Sequence, residues 1–182
     1  MFVNNTRKNR VLTSTYLNFT APMERYNIGN REMAKYTENE AKVIKRAKNI
    51  IFRNLKTLKK LTSSAETKDY LKLHFTGLEH EVFSVLYLDN QHGVIVIEDL
   101  FHGTIDGAAV YPREVVKRAL FHNAAAVMLA HNHPSNSSEP SQADIRITNK
   151  IRAALGTVDI RLLDHFVVTD ITVVSFAERG LI

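Results

Sequence analysis

His131-Asn132-His133-Pro134-Ser135-Asn136-Ser137-Ser138-Glu139-Pro140-Ser141-Gln142-Ala143-Asp144 joins two segments of different character. Before it, residues 124–130 are a short, fully apolar run, the pattern of a strand buried at the centre of a sheet. After it, Ile147, Ile151 and Leu155 recur at helical spacing up to Gly156, which predicts a helix over residues 142–155. The unit is strand, loop, helix, and the rest of the chain extends it. Residues 82–88 are a second buried strand candidate, and Asp89-Asn90-Gln91-His92-Gly93 is turn chemistry leading to a returning strand at 94–97. Pro112 sits at the first turn of an expected helix through Val115, Val116, Ala119 and Leu120. Strands near 160–168 and 172–176 close the chain. Strands alternating with helices imply a layered α/β domain over residues 64–182.

Upstream, Thr37-Glu38-Asn39-Glu40 fits a capping box. Val43, Ala47, Ile50, Ile51, Leu55, Leu58 and Leu61 then recur at helical spacing, with Lys42, Lys45, Arg46, Lys48, Arg53, Lys56, Lys59 and Lys60 on the other face. A second box, Ser63-Ser64-Ala65-Glu66, opens a short helix through Tyr70, Leu71, His74 and Phe75 that stops at Gly77. The chain of 182 residues carries a net charge of +5, but the charge is divided. Residues 1–63 hold 14 basic and 4 acidic side chains, or +10, and the remainder is −5. A basic N-terminal arm and amphipathic helix (1–63) on a mildly acidic body (64–182) is the expected organisation. The basic face invites weak contact with nucleic-acid phosphates, although a solvated face of a docked helix explains the same pattern. No apolar run spans a bilayer and no apolar segment follows the first Met, so the expected address is cytoplasmic, with no membrane partner.

The chain has no Cys, which excludes disulfides, Cys-based zinc sites and thiol nucleophiles. Metal chemistry must then use His and carboxylates. His131 and His133 stand two apart at the end of a strand, and the period of two aims both imidazoles to one side of the sheet. Ser141 and Asp144 fit a capping box that requires no metal. Asp144, however, is in register with Ile147, Ile151 and Leu155, which points its carboxylate inward, where it needs a partner. Two His and one carboxylate leave a fourth tetrahedral position open, the arrangement of a catalytic zinc. Such an ion acidifies water, and a Glu outside the ligand set is the usual base. Glu79 and Glu81 both precede the first body strand. Glu81 is the better candidate because it is fused directly to the apolar run at 82–88. The Ser141 hydroxyl, one turn from Asp144, can also donate to a developing oxyanion.

The spacing His-x-His, seven residues, Ser, two residues, Asp, with an upstream Glu, resembles the JAMM (MPN-type) metalloprotease superfamily. Within it the wording is similar to bacterial RadC-like proteins. The blocks are Glu81-Val82-Phe83, Leu100-Phe101-His102-Gly103-Thr104-Ile105-Asp106, Tyr111-Pro112-Arg113-Glu114-Val115, Asn123-Ala124-Ala125-Ala126, the segment His131 to Asp144, Leu163-Asp164-His165 and Ser175-Phe176-Ala177-Glu178. The resemblance covers about residues 64–182. It implies a deaminase-like three-layer α/β/α sandwich with one zinc ion per chain, held by His131, His133 and Asp144. It further implies that Glu81 positions the catalytic water and that Ser141 assists the tetrahedral intermediate. The implied reaction is hydrolysis of peptide or isopeptide bonds in a peptide or protein substrate, commonly a ubiquitin-like tail. Asn136 departs from the pattern, since RadC-like loops usually carry Gly there, but Asn tolerates left-handed backbone. The helical DNA-binding-type domain of longer RadC proteins is not recognisable in residues 1–63. A DNA-associated accessory role is the alternative function, resting on the basic helix alone. HExxH zinc sites and zinc deaminases are excluded by spacing and by the missing Cys, and an HNH nuclease is disfavoured because its three residues are spread over a hairpin and helix and not adjacent. Among the other histidines, at 74, 80, 92, 102, 122 and 165, only His165 is singled out, for a supporting contact to the site or substrate.

Overall fold

The computed structural model describes residues 36–57, 64–103 and 109–182. Its elements, in chain order, are α1 (Glu38–Thr57), α2 (Ser64–Phe75), β1 (Val82–Leu88), β2 (Val94–His102), α3 (Pro112–Phe121), β3 (Ala126–Asn132), α4 (Gln142–Gly156), β4 (Arg161–Val168) and β5 (Val173–Ser175). The strands form one sheet in the order β2-β1-β3-β4-β5, so the apolar run read as a central strand occupies the middle. β3 and β4 are parallel, and the other neighbours are antiparallel. A parallel pair needs a crossover connection, and α4 supplies it. This places the loop of residues 133–141 at the carboxyl end of a parallel strand, where open α/β sheets carry their ligand sites.

Both faces of the sheet are covered. Phe83, Val85, Tyr87, Val127 and Leu129 pack against Val115 and Ala119 of α3 and Ile151 and Leu155 of α4. On the opposite face Val82, Leu86, Ala130, Phe166 and Val168 pack against Tyr70, Leu71 and Phe75 of α2. The alternation along β1 explains why every residue of that strand is buried. The result is a three-layer α/β/α sandwich, as expected.

Local signals set the helix ends. Pro112 stands at the start of α3, where its missing N–H costs nothing. α2 stops where Gly77 takes φ 85°, a left-handed turn that glycine adopts without a Cβ clash. The Thr37 box is formed: the Thr37 hydroxyl accepts from the Glu40 N–H, and a Glu40 carboxylate oxygen accepts from the Thr37 N–H at 2.7 Å.

Two expectations need correction. The returning strand does not end at residue 97 but runs to His102. Glu98 and Asp99 interrupt the apolar pattern yet stay in the ladder, because each has partners. Glu98 accepts from Arg118 and stands 2.9 Å from the His122 ring; Asp99 stands 2.7 Å from the His74 ring and accepts from the Ser84 hydroxyl at 2.6 Å. The apolar stripe of α1 is also less buried than its period suggests. Ile51 packs on the core below α2, but Val43 is 67% and Ile50 41% exposed. On the basic face, Lys42 pairs with Glu38 and Lys48 donates to the His74 carbonyl at 2.7 Å, tying α1 to the end of α2. Leu58, Lys59, Lys60, Leu61, Ser63 and the Thr104-Ile105-Asp106 block lie outside the described residues, as do the side chains of Leu55 and Lys56. Among the described residues no helix is long and apolar enough to cross a membrane.

Candidate metal centre

His131, the penultimate residue of β3, faces the α3/α4 layer, its ring stacked on Phe83 of the neighbouring strand at 6.0 Å and 11°. Phe83 pairs with His131 in the ladder, so the contact is a cross-strand one. His133 follows two residues later and its backbone N–H still bonds the Val168 carbonyl at 2.9 Å, which continues the strand direction past its formal end. The His131 and His133 Nε2 atoms lie 2.9 Å apart. The loop then folds back on His133, whose Nδ1 is 2.7 Å from the Ser137 carbonyl. A carbonyl only accepts, so His133 carries a proton on Nδ1. Asn136 makes this turn with φ 59°, and its side-chain oxygen accepts from the Asp170 N–H at 3.0 Å, pinning the loop to the β4–β5 turn.

Ser141 begins α4 as a true N-cap. Its hydroxyl oxygen accepts from the Asp144 N–H at 3.1 Å, and Asp144 Oδ2 accepts from the Ser141 N–H and hydroxyl at 2.7 and 2.6 Å. The cap and the inward carboxylate are therefore not alternatives. Oδ1 of the same group stands 3.4 Å from His131 Nε2, and Oδ2 stands 3.7 Å from His133 Nε2. One donor atom from each of the three residues lies within 4.8 Å of the others, and among the described residues no other group of three or more His, Asp or Glu converges in this way. Burial opposes ionisation of Asp144, but the two imidazoles and the Ser141 hydroxyl outweigh it and hold the carboxyl far below the ordinary range. The Asp144 carboxylate in turn raises the pKa of His133, against its burial.

Glu81 sits just before β1 and in phase with Phe83, hence on the His131 side of the sheet. Its negative charge is felt at His133, and among the described residues its carboxylate has no hydrogen-bond partner. Its backbone carbonyl accepts from the Gly103 N–H at 2.7 Å. Asn132, between the two histidines, points to the opposite face and holds the backbone on both sides of Glu81. Its carbonyl oxygen accepts from the Val82 N–H at 2.7 Å and its amide donates to the His80 carbonyl at 2.9 Å. Sequence reasoning missed Asn132; a polar residue in a buried strand was the available signal. Glu79, the weaker candidate, is exposed and lines a cleft of about 440 Å³ that His133 borders, together with Lys72, Phe75, Leu78 and Asp170. His165 is fully buried beside His131, with 2.9 Å between its Nε2 and His131 Nδ1.

The model of the RadC-like JAB domain matches residues 61–181. The chain belongs to the RadC-like JAB domain family. The family match covers the sheet, α2 to α4 and every residue of the His/His/Asp cluster. A UPF0758 protein of Vibrio cholerae is 58% identical over 149 residues, which are 82% of this chain and 66% of that protein. A UPF0758 protein of Cellvibrio japonicus is 56% identical over 148 residues, 81% of this chain and 66% of that protein. One from Vibrio campbellii is 56% identical over 149 residues, with 82% and 66% covered. The chain thus spans just under two thirds of the length of these relatives of the RadC-like JAB family.

Proposed function

We propose that this chain is a zinc-dependent hydrolase of peptide or isopeptide bonds, with one zinc ion per chain held by His131, His133 and Asp144. The observation that carries the reading is the convergence of two Nε2 atoms, 2.9 Å apart, on an ionised carboxylate. With its Nδ1–H donated to the Ser137 carbonyl, His133 in its neutral form presents a lone pair at Nε2, and the acceptor-rich cluster suits a borderline-soft dication better than it suits the bare side chains. Nitrogen and oxygen donors with one tetrahedral position left over are the donor set of a catalytic zinc. When bound, zinc supplies Lewis-acid chemistry, polarising the scissile carbonyl and bringing the pKa of water near neutrality.

The protein groups do the rest. Glu81, held next to the start of β1 and without a competing hydrogen bond among the described residues, takes the proton from the attacking water and passes it to the leaving amine. The Ser141 hydroxyl, which donates to Asp144 in this structure, is one helical turn from the ligand and turns to donate to the oxygen that gains charge. A flexible protein tail, such as a ubiquitin-like one, is the substrate class that this reading implies; the cleft beside His133 adjoins the centre from the α2 side, and His131, Asp144, Glu81 and Ser141 do not line it.

Elemental analysis of purified protein tests the ligand set. One zinc per chain is expected in the wild type and near none in His131→Ala. Glu81→Gln should keep the zinc and lose cleavage of any responsive substrate. A metal-free wild type after zinc loading, or full cleavage by Glu81→Gln, would overturn the reading.

A further inference from the structure

The cleft beside His133 lies at the carboxyl ends of the parallel pair β3 and β4, the same end of the sheet as the His/His/Asp cluster. Open α/β sheets take their ligands in the crevice at that end. Its volume of about 440 Å³ is that of an ordinary ligand pocket. The floor is apolar and fixed. Phe75 of α2 and Val168 of β4 are 4% and 1% exposed and belong to the core on that face, and Leu78 packs against the same core. The walls are tied together. Lys72 of α2 donates to the Ile171 carbonyl at 2.9 Å, and the Asn136 side chain accepts from the Asp170 N–H at 3.0 Å. A cleft with an anchored floor and tethered walls is preformed, so little ordering opposes a ligand there.

The rim is charged. Glu79 and Asp170 are exposed, and among the described residues neither carboxylate has an ion-pair or hydrogen-bond partner. The one Lys or Arg in the lining is Lys72, which is drawn to the Ile171 carbonyl. An apolar floor beneath two carboxylates complements an aliphatic side chain with a basic neighbour. We infer that the cleft is a specificity subsite, taking an aliphatic side chain of an extended peptide while an adjacent Lys or Arg pairs with Glu79 and Asp170. His133 borders both the cleft and the cluster, so a chain laid across it reaches from one to the other. The cleft thus holds a segment flanking the scissile bond and not the bond itself. That consequence rests on the hydrolase reading above, but the peptide preference is a property of the metal-free protein.

The test uses the full chain, stripped of metal by a chelator, and three probes: acetyl-Ala-Leu-Lys-Ala-amide, acetyl-Ala-Leu-Glu-Ala-amide and acetyl-Ala-Ala-Lys-Ala-amide. Each is titrated to millimolar concentration while the backbone amides are followed by NMR. The Leu-Lys probe should shift the amides of Phe75, Leu78, Glu79, Val168 and Asp170. The Leu-Glu probe should bind about 3–10-fold more weakly, because attraction at each carboxylate becomes repulsion. The Ala-Lys probe should lose about fivefold or more, having less apolar surface to bury. Glu79→Gln combined with Asp170→Asn removes the charges without touching a bond of the fold, and its thermal midpoint is the folding control. In that double variant the Leu-Lys and Leu-Glu probes should bind within about twofold of each other. Shifts confined to other residues, no shifts at all, or a preference for Lys over Glu that survives the double variant would each overturn the inference. None of these outcomes involves zinc. A wild type that binds no zinc would instead defeat the reading of the preceding subsection, and the probes would still decide the cleft.

Discussion

Asn132 Oδ1 accepts the backbone N–H of Val82 at 2.7 Å, so a side chain of β3 takes the place of a main-chain rung at the start of β1. The same amide donates to the carbonyl of His80, and Glu81 lies between the two anchored peptide groups. Asn132→Ala should leave two main-chain groups without their partner and destabilise the protein by about 2 kcal/mol. Because Asn132 is not a donor to the cluster, zinc content should be unchanged. Urea unfolding checks the first statement and elemental analysis the second; a loss of less than about 0.5 kcal/mol would mean that the clamp is dispensable.

Asn136 combines a left-handed backbone, φ 59°, with a hydrogen bond to Asp170. The two features separate by substitution. Asn136→Gly keeps the backbone and loses the bond, so stability should stay within about 1 kcal/mol of wild type. Asn136→Ala loses the bond and strains the backbone, and it should cost about 1–2 kcal/mol more than the glycine variant. Equal midpoints for the two variants in thermal unfolding would show that the turn is not what Asn136 is selected to make.

Acid stability should depend on Asp99. Burial opposes its ionisation, but the His74 ring and the Ser84 hydroxyl prevail and bring its pKa down to about 2 from the ordinary 3.8. A carboxylate with a depressed folded-state pKa contributes stability that is complete above the unfolded value and lost as pH falls through the folded one. The window is therefore pH 3.8 down to about 2. Asp99→Asn removes this titration, so its stability, already lower at neutral pH, should fall less steeply than wild type across that window. Parallel slopes in acid titrations followed by circular dichroism would exclude the pair as a contributor.

The two helices that look equally amphipathic in sequence should respond differently to truncation. Leu155 on α4 is fully buried, and Leu155→Ala should cost about 2–5 kcal/mol. Val43 on α1 is 67% exposed, and Val43→Ala should change stability by less than about 0.5 kcal/mol. A large loss for Val43→Ala in chemical denaturation would reveal a partner for that face.

The path from β3 through the loop into α4 is legible in the sequence because each of its signals is local. An apolar run, a proline-flanked loop and a capping box need no distant residue to be understood. The histidines and Asp144 are legible for the same reason, since strand and helix periods alone place their side chains. What escaped sequence reasoning depends on pairs far apart in the chain. β2 reads as four residues long because Glu98 and Asp99 break its apolar pattern, and only the fold brings Arg118, His122, His74 and Ser84 beside them. Asn132 carries no recognisable motif; its role exists only through contacts with residues 80 and 82. The exposure of Val43 and Ile50 is similarly invisible to a helical period, which reports that a face is apolar but not whether anything covers it.

Asp144 is anchored through Oδ2 by Ser141 while Oδ1 is turned toward His131. Its rotameric freedom is thus surrendered when α4 forms, and in the proposed zinc site an arriving ion would find this side chain already stationary. The entropy of ordering the carboxylate is charged to folding and not to metal capture. The same economy makes Asp144 a poor position for dissecting the site by mutation, because deleting the carboxylate also unfastens the first turn of the helix.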